Sequence, residues 1–378
     1  MIYFDNSATT FFKPKEAIDA LINAVTQLNV NPNRSFNSLT AKLGEKITET
    51  RQKIANLVNC NNPSDVVFGL NCTDALNLAI FGSIKKKGCH VVTTVFEHNS
   101  VLRPLNLLQK NGRVQLTILQ GDKNMKISPR DLENALLPNT ELVVVNHVSN
   151  VLGATQNIAA LGEICHKNGI TFVVDASQSA GYLPLDMQSQ RINLLAMPAH
   201  KGLHGIAGCG VLCFDDKSMP NPIRFGGTGT QSNLLSQPTE SPEAFESGTL
   251  NSPAILALGG ALDWHAKNGK GFLQKMQLLQ RTLVEGLKEM KRIRIRSVPN
   301  HSGIVCIEFI HRDSQEICDL LSNEYGIATR GGLHCAPLCH KFIGTEKNGL
   351  VRASLSGDNT VEEVFAFLSA VKNIAGKN

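Results

Sequence analysis

Residues 194–202 read LLAMPAHKG, and residues 173–178 read VVDASQ. Each stretch is a short apolar run that predicts a buried strand, and each ends in polar or charged side chains. Similar runs alternate with helical patterns between about residues 60 and 250, which indicates crossover units and a mostly parallel sheet. Ligands of such sheets bind beyond the carboxyl ends of the strands, so Asp175 and Lys201 lie where chemistry is expected.

The periodicity of the whole chain predicts an α/β protein with a small α+β unit at its C-terminal end. Strands of the main sheet are expected at 66–69, 90–94, 114–119, 142–146, 171–175, 194–197 and 210–214, with intervening helices at 73–83, 101–110, 129–137 and 158–168. Two amphipathic helices are expected before them, at 15–28 and 39–58. The last third predicts strand, helix, strand and helix at 303–310, 315–325, 350–355 and 361–374.

These patterns divide the chain into three parts. Residues 1–30 form an N-terminal segment that packs on the small domain, residues 31–255 form the large domain, and residues 256–378 supply a linking helix and the small domain. The linking helix, expected at 254–291, is predicted to break at the sequence NGKG of residues 268–271.

Composition excludes several classes of protein. Of the 378 residues, 42% are hydrophobic and 18% are charged, as in globular chains rather than disordered ones. The basic runs at 85–87 and 291–296 lack interleaved aromatic residues, so they are interpreted as solvated helix or loop faces and not as a nucleic-acid site. No run of 18 apolar residues predicts a membrane helix, and no signal peptide is recognisable. The ten scattered cysteines favour a reduced, cytoplasmic protein.

Lys201 and Asp175 together suggest a specific chemistry. A buried lysine has a lowered pKa and can attack carbonyl groups. An aspartate on a neighbouring strand can keep a pyridinium nitrogen protonated, and this pair is what pyridoxal 5'-phosphate (PLP) requires. On its own, however, Asp175 could simply cap the turn that follows its strand.

Other predicted strand ends carry compatible residues. His98 follows the 90–94 strand and could stack on a flat ring, or it could be an ordinary histidine at a helix start. Cys72 and Thr73 open the 73–83 helix, where a phosphate could bind, although by themselves they indicate an ordinary N-cap. Asn150 belongs to the sequence NHVSN that follows the fourth strand.

The sequence ATRGGLHCAPLCH at residues 328–340 leaves three interpretations open. Cys335 could be a reactive thiolate, because cationic neighbours such as Arg330 and His334 favour that form of cysteine. Alternatively, His334, Cys335, Cys339 and His340 could bind zinc, although their spacing is not the usual two-pair arrangement. The third interpretation is a structural loop.

An arginine within the apolar strand VRASL, residues 351–355, also requires explanation. Arg352 must find an anion, and a substrate carboxylate suits the planar guanidinium well. A structural ion pair is the alternative.

Taken together, these motifs resemble the cysteine desulfurase and selenocysteine lyase family, in the class V aminotransferase superfamily of fold type I PLP enzymes. The resemblance extends from YFDNSATT at residues 3–10 to the helix after Arg352, nearly the whole chain. It implies a large domain with a mostly parallel mixed sheet, a small C-terminal α+β domain, and PLP as cofactor. It also implies a homodimer with shared active sites.

The resemblance implies roles for individual residues. The catalytic residues would be Lys201, Cys335 and His98, and no metal is implied. The cofactor would be bound by Cys72, Thr73, His98, Asn150, Asp175, Gln178, His200 and Lys201, and by Thr249 from the neighbouring subunit. The substrate would be bound by Asn150, Arg330 and Arg352.

The chain also departs from the family pattern at four places. Pro198 stands two residues before His200, where the family has serine, and Cys72 replaces a phosphate-turn threonine. The sequence NRS at residues 33–35 replaces His-Arg-Gly, and Cys339 is additional.

The implied activity is removal of sulfur from L-cysteine as a persulfide on Cys335, with release of L-alanine to the solvent. A selenocysteine lyase, an aminotransferase or a β-lyase is the alternative enzyme, and a zinc-binding or sulfur-relay protein is the non-enzymatic one. The partners expected are cysteine or selenocysteine and a sulfur-acceptor protein, but neither nucleic acid nor a membrane.

Overall fold

The computed structural model describes residues 1–32 and 37–376. The strands are β1 Ile2–Tyr3, β2 Val66–Gly69, β3 Cys89–Thr94, β4 Val114–Leu119, β5 Thr140–Asn146, β6 Thr171–Asp175, β7 Leu194–Pro198, β8 Gly210–Phe214, β9 Ile293–Ile295, β10 Ile304–Phe309, β11 Ile327–Ala328 and β12 Val351–Ser354. The helices are α1 Lys15–Thr26, α2 Ser38–Val58, α3 Cys72–Ser83, α4 Asn99–Lys110, α5 Pro129–Ala135, α6 Ile158–Lys167, α7 Ser252–Lys288, α8 Ser314–Tyr325, α9 Pro337–Ile343 and α10 Val361–Gly376.

The main sheet has seven strands in the order β2-β8-β7-β6-β5-β3-β4. The pairs from β7 to β4 are parallel, whereas β8 runs antiparallel to both β7 and β2. The predicted mixed, mostly parallel sheet is therefore confirmed. The inner strands β5 and β6 read as apolar runs because both of their faces are buried: Val144 and Val173 belong to one hydrophobic core, and Val143 and Val174 to the other.

The register of this sheet fixes where the polar strand ends meet. Asn146 pairs with Asp175, and Asp175 pairs with Ala196 in the next strand. Lys201 follows β7 by three residues, so it emerges at the same edge as Asp175.

Helix α7 is continuous across residues 268–271, so the predicted break there is wrong. A glycine within a helix costs about 1 kcal/mol, and burial of Met276, Leu279 and Leu283 in the C-terminal core outweighs that cost. Nearer its start, α7 is crossed by α1. A side chain at Gly260 would lie 2.2 Å from the Glu16 carbonyl oxygen, so the close crossing requires glycine there.

The small unit has a three-stranded antiparallel sheet, β12-β10-β9, whose hydrophobic core includes side chains of α7, α8 and α10. The N-terminal chain joins it, because β1 pairs in parallel with β11, and the Phe4 ring lies 5.6 Å from the Phe367 ring. The domain boundaries at residues 30 and 255 stay a prediction.

The basic run at 291–296 is not a helix or loop face throughout, because β9 lies within it. This part of the prediction is corrected: Ile293 and Ile295 pack against the C-terminal core, and the Arg296 guanidinium pairs with the Glu308 carboxylate at 2.6 Å. The described residues contain no helix with both the length and the apolarity that crossing a bilayer requires.

Candidate active site

Lys201 lies in a turn that is hydrogen-bonded to the N-terminal segment. The carbonyl oxygen of His200 accepts hydrogen bonds from the Thr10 amide at 3.1 Å and from the Lys13 ammonium at 3.3 Å. Burial lowers the pKa of Lys201, while the Asp175 carboxylate opposes that shift. Lys201 can therefore give up its proton more readily than a lysine in water.

The start of α3 forms one end of the cavity next to Lys201. The Cys72 Sγ lies 3.1 Å from the Ser177 Oγ, and the Thr73 Oγ1 lies 2.8 Å from the Ser100 Oγ. Burial raises the pKa of the Cys72 thiol, so it stays a neutral donor. Free amides and hydroxyls at a helix N-terminus are suited to an anion such as phosphate.

His98 caps helix α4 and lines the same cavity. Its Nδ1 accepts a hydrogen bond from the Ser100 amide at 3.1 Å, and burial lowers its pKa to about 4, so the ring is neutral. Next to it, Glu97 is fully buried, and burial raises its pKa to about 8. Glu97 was not predicted as a site residue, although it precedes the predicted His98 in a Glu-His pair.

Several polar atoms around the cavity are buried without a hydrogen-bond partner in the described structure. They are the Asn150 Oδ1, the Gln178 Oε1 and the Arg352 Nε. The side-chain amide nitrogens of Asn150 and Gln178 do have partners. Asn150 donates to the His334 carbonyl oxygen at 2.7 Å, and Gln178 donates to the Ser7 carbonyl oxygen at 3.0 Å. The side chains are thus fixed, and their free atoms are available to a bound molecule.

Arg352 is 1% exposed and already carries two partners. Its Nη2 pairs with the Asp5 carboxylate at 2.8 Å, and its Nη1 donates to the Asn150 carbonyl oxygen at 3.0 Å. Of the two alternatives left open by the sequence, the structure contains the ion pair, and the binding of a substrate carboxylate by Arg352 stays a prediction. Asp5 was missed because nothing local marks an aspartate near the N-terminus as the partner of a distant strand.

Cys335 lies at the edge of the site. Arg330, which lines the main cavity, places its Nη2 3.5 Å from the Cys335 Sγ. Cys335 itself lines an adjoining cavity of about 450 Å³ that shares Thr73 and His98 with the main one.

The main cavity has a volume of about 230 Å³ and fits PLP in three respects. The α3 start offers a phosphate site, the Asp175 carboxylate and the His98 ring can contact a pyridine ring, and Lys201 can bond to an aldehyde. The unpartnered oxygens of Asn150 and Gln178 add acceptors for a cofactor or an amino-acid substrate.

A comparison with models of protein families shows which family this chain belongs to. The model for "Aminotransferase class-V" matches residues 2–367. The chain belongs to the class V aminotransferase family. Members of this family are PLP-dependent fold type I proteins, so the fold and the cofactor inferred from the class V resemblance are confirmed.

Individual class V proteins are similar over nearly the full chain. A Pyrococcus abyssi protein named "Probable cysteine desulfurase" is 33% identical, over 99% of this chain and 94% of its own length. The "Cysteine desulfurase IscS" of Photorhabdus laumondii is 30% identical, over 88% of this chain and 80% of its own. The apo structure of a cysteine desulfurase from Thermococcus onnurineus NA1 superposes with a TM-score of 0.91 at 31% identity, covering 99% of this chain and 94% of the other.

The structure brings most of the predicted residues to one place. The main cavity is lined by Cys72, Thr73, His98, Asn150, Asp175, Gln178, His200, Lys201, Arg330 and Arg352. Thr249 is not among them, since it lines a separate cavity with Leu70 and Asn251. Residues 33–35, where the family has His-Arg-Gly, lie outside the described residues.

The zinc interpretation of residues 334–340 has no geometric support. Within residues 1–32 and 37–376, no three histidine, cysteine or acidic side chains converge on a metal position. Instead, the His334 and His340 rings contact each other, and Cys339 is fully buried on α9.

Proposed function

We propose that this chain is a PLP-dependent cysteine desulfurase that transfers the sulfur of L-cysteine to Cys335 and releases L-alanine. The observation that carries the proposal is the position of the Cys335 thiol, 3.5 Å from Arg330 at the margin of the cavity that contains Lys201 and Arg352. An aminotransferase or a β-lyase has no use for a thiol at this position. The desulfurase names of the similar proteins support the same activity.

The cofactor would be held by the residues that line the main cavity. Cys72, Thr73 and His200 would contact the phosphate end, and Asp175 would keep the ring nitrogen protonated. His98 would stack on the ring, and Asn150 and Gln178 would contact its oxygen. When bound, PLP withdraws electrons from the α-carbon of an amino acid.

Lys201 would bind the cofactor covalently and, once released by substrate, act as the base at the α-carbon. Burial lowers its pKa, which favours the unprotonated amine that a base requires. Arg352 would bind the substrate carboxylate through its free Nε, assisted by Arg330 and Asn150. The reacting sulfur is then presented toward Cys335.

The sulfur transfer balances without an added oxidant or reductant. The Cys335 thiolate attacks the substrate Sγ and forms an S–S bond while the substrate Cβ–Sγ bond breaks. The carbon keeps the electron pair of the broken bond and takes up a proton, so the products are alanine and a Cys335 persulfide. Arg330 would stabilise the attacking thiolate through its 3.5 Å contact.

The direct test is incubation of the PLP-loaded protein with L-cysteine. With a thiol reductant present, alanine and sulfide should form in equal amounts. Without one, and with a single equivalent of L-cysteine per site, alanine should form without sulfide, because the persulfide stays on Cys335. Formation of pyruvate and ammonia, or transfer of the amino group to a keto acid, would contradict the proposal.

Asp175→Ala should lower the rate of alanine formation by about 10²- to 10³-fold, the loss seen when one preorganised electrostatic group is removed. The reason is that the ring nitrogen loses the carboxylate that keeps it protonated. Asp175→Glu is the matched control and should recover part of the rate. Stopped-flow measurement of substrate deprotonation, with circular dichroism to verify folding, gives the result; near-parental turnover in the alanine variant would refute the role.

Selenocysteine lyase activity is the second candidate function, because a carbon–selenium bond is weaker and needs less help from Cys335. Comparing kcat/KM for cysteine and selenocysteine decides between them. A much larger value for selenocysteine, unchanged in Cys335→Ser, would favour the lyase.

We also propose that a sulfur-acceptor protein takes the persulfide sulfur in a reducing, cytoplasmic compartment, consistent with the ten free cysteines.

We propose that the protein acts as a homodimer in which Thr249 of one copy reaches the phosphate site of the other. Within one chain Thr249 lies outside the main cavity. The segment before it also exposes large apolar side chains, including Phe225 and Leu235, which a second copy could cover.

Analytical ultracentrifugation should give twice the chain mass of 41.0 kDa at assay concentrations. Thr249→Val should weaken PLP binding, because the partner's hydroxyl is lost from the phosphate. Thr230→Val, in the same segment, is the control and should bind PLP like the parent. A fully active monomer would rule out the shared site.

A further inference from the structure

The turn that presents Cys335 has an unusual backbone. His334 and Cys335 are consecutive non-glycine residues in the left-handed region, with φ values of 51° and 57°. L-residues adopt this conformation rarely, and it persists only where the surroundings hold it. The contacts around this turn therefore determine where the Cys335 thiol points.

Two backbone contacts hold the turn from outside. The Asn150 amide group donates to the His334 carbonyl oxygen at 2.7 Å, and the Asn99 amide donates to the Cys335 carbonyl oxygen at 2.7 Å. Neither contact fixes the His334 side chain, which is 2% exposed. The partners of that ring lie elsewhere.

The His334 ring belongs to a directed chain of hydrogen bonds. Its Nε2 lies 3.1 Å from the Arg330 carbonyl oxygen, and because a carbonyl only accepts, the proton of the neutral ring is on Nε2. The His334 Nδ1 is then an acceptor, and it lies 3.4 Å from the His340 Nε2, which must donate. The His340 Nδ1 in turn accepts from the Thr345 hydroxyl at 2.9 Å.

Burial keeps both histidine rings of this chain neutral. Burial lowers the pKa of His340 to about 4, and it holds that of His334 well below the usual range, with Arg352 on β12 and Arg330 in the same loop adding to the effect. His340 on α9 is the other titratable group that faces His334. A proton on the His334 Nδ1 would face the Nε2–H of His340, so protonation of His334 at Nδ1 is unfavourable.

We propose that His340 is a positioning residue for the sulfur transfer: by donating to the His334 ring it holds the turn in which Arg330 contacts the Cys335 thiol. The role rests on the proposed desulfurase activity. The chain runs from Thr345 through His340 and His334 to the Arg330 backbone, and the Arg330 side chain ends on the Cys335 Sγ.

Loss of the His340 donor has a definite consequence. The His334 Nδ1 becomes a buried acceptor without a partner, which is unfavourable, so the ring turns or takes up a proton. A ring that turns takes its Nε2–H away from the Arg330 carbonyl oxygen, so the turn around Cys335 is free to move. Misplacement of a reacting group by about 1 Å can cost about 100-fold in rate.

The experiment compares His340→Gln, His340→Leu and a control. Glutamine places an N–H donor close to the position of the imidazole Nε2, whereas leucine fills similar space without one. The control is His90→Leu, because His90 is also a buried imidazole bonded to two hydroxyls, Thr140 at 2.7 Å and Thr117 at 2.8 Å, on the main sheet. All proteins are prepared as PLP-loaded full chains.

Two measurements are made on each protein. Nitrogen-15 NMR of ring-labelled histidine, with the His334 signal assigned by its loss in His334→Asn, reports the tautomer. Steady-state alanine formation reports kcat, KM and their dependence on pH.

In the parent, His90→Leu and His340→Gln, His334 should show one Nε2–H tautomer. In His340→Leu that single tautomer should be lost and kcat should fall about 10- to 100-fold, with a smaller change in KM because Arg352 is untouched and only the assisting Arg330 moves. The depressed pKa of His334 should also rise in this variant. As the pH is lowered, the activity of the variant should therefore begin to fall at a higher pH than that of the parent.

The proposal is overturned if His340→Leu keeps the single His334 tautomer and parental kcat, if glutamine restores no more than leucine, or if His90→Leu gives the same kinetic losses. Failure of the desulfurase proposal is distinguishable, because the parent itself would then make no alanine. In that case the NMR comparison still supports or contradicts the donor chain.

Discussion

Lys201→Ala should lower alanine formation from cysteine by about 10⁴-fold, the upper range for loss of a positioned general base. Two functions disappear together, the covalent attachment of the cofactor and removal of the α-proton. The buried turn around Lys201 offers no substitute, because the other nearby lysine, Lys13, is bonded to Thr10 at 2.9 Å and to the His200 carbonyl oxygen. Steady-state assay of the reconstituted variant measures the loss.

Two further measurements separate the functions of Lys201. Borohydride reduction of the parent, followed by peptide mapping, should place the cofactor on Lys201, and the same result is expected in Lys13→Met. A small amine such as ethylamine should restore part of the proton transfer in Lys201→Ala, because it can occupy the vacated space as a base. An adduct on Lys13, or parental turnover in Lys201→Ala, would contradict the assignment.

The main sheet could be predicted closely from the sequence. Strands β2, β4, β6 and β8 begin and end where the apolar runs do. Burial on both faces demands continuous Val, Leu and Ile, and crossover helices separate these runs clearly. The adjacency of Asp175 and Lys201 follows from the same rule, because parallel neighbouring strands end at one edge.

The elements that were missed are short or set by distant contacts. Strands β1 and β11 have two residues each and exist because they pair with each other across more than 320 positions. Strand β9 did carry a signal, since residues 292–296 read RIRIR, a strict alternation typical of a half-buried strand. The positive charge of residues 291–296 favoured a solvated helix or loop face, whereas their alternation indicated the strand.

Parts of the site could not be inferred from local patterns. The Asp5 partner of Arg352 is 347 residues away in sequence, and the carbonyl that Asn150 contacts belongs to His334. Such pairs depend on how the small unit sits against the sheet. Sequence motifs predicted which side chains carry chemistry, but the contacts that position those side chains became visible only in the fold.

Cys335→Ser should abolish persulfide formation from cysteine and lower alanine release by at least about 10⁴-fold, as expected when a nucleophile is removed. The hydroxyl cannot accept sulfur in a stable persulfide. PLP binding should survive, because Cys335 lines the adjoining cavity and not the one that holds Lys201. Mass spectrometry of peptides after exposure to cysteine identifies the residue that gains a sulfur atom.

Cys339→Ser is the matched control, four residues away on α9. Cys339 is fully buried, and burial raises its pKa to about 12, so its thiol stays protonated and shielded from substrate. Its serine variant should therefore keep most of the activity and still form a persulfide on Cys335. Sulfur found first on Cys339, or desulfuration unaffected by Cys335→Ser, would overturn the assignment. The Cys335 thiol is partly exposed and contacts Arg330, whereas the Cys339 thiol is buried, and we expect this difference to make Cys335 the nucleophile.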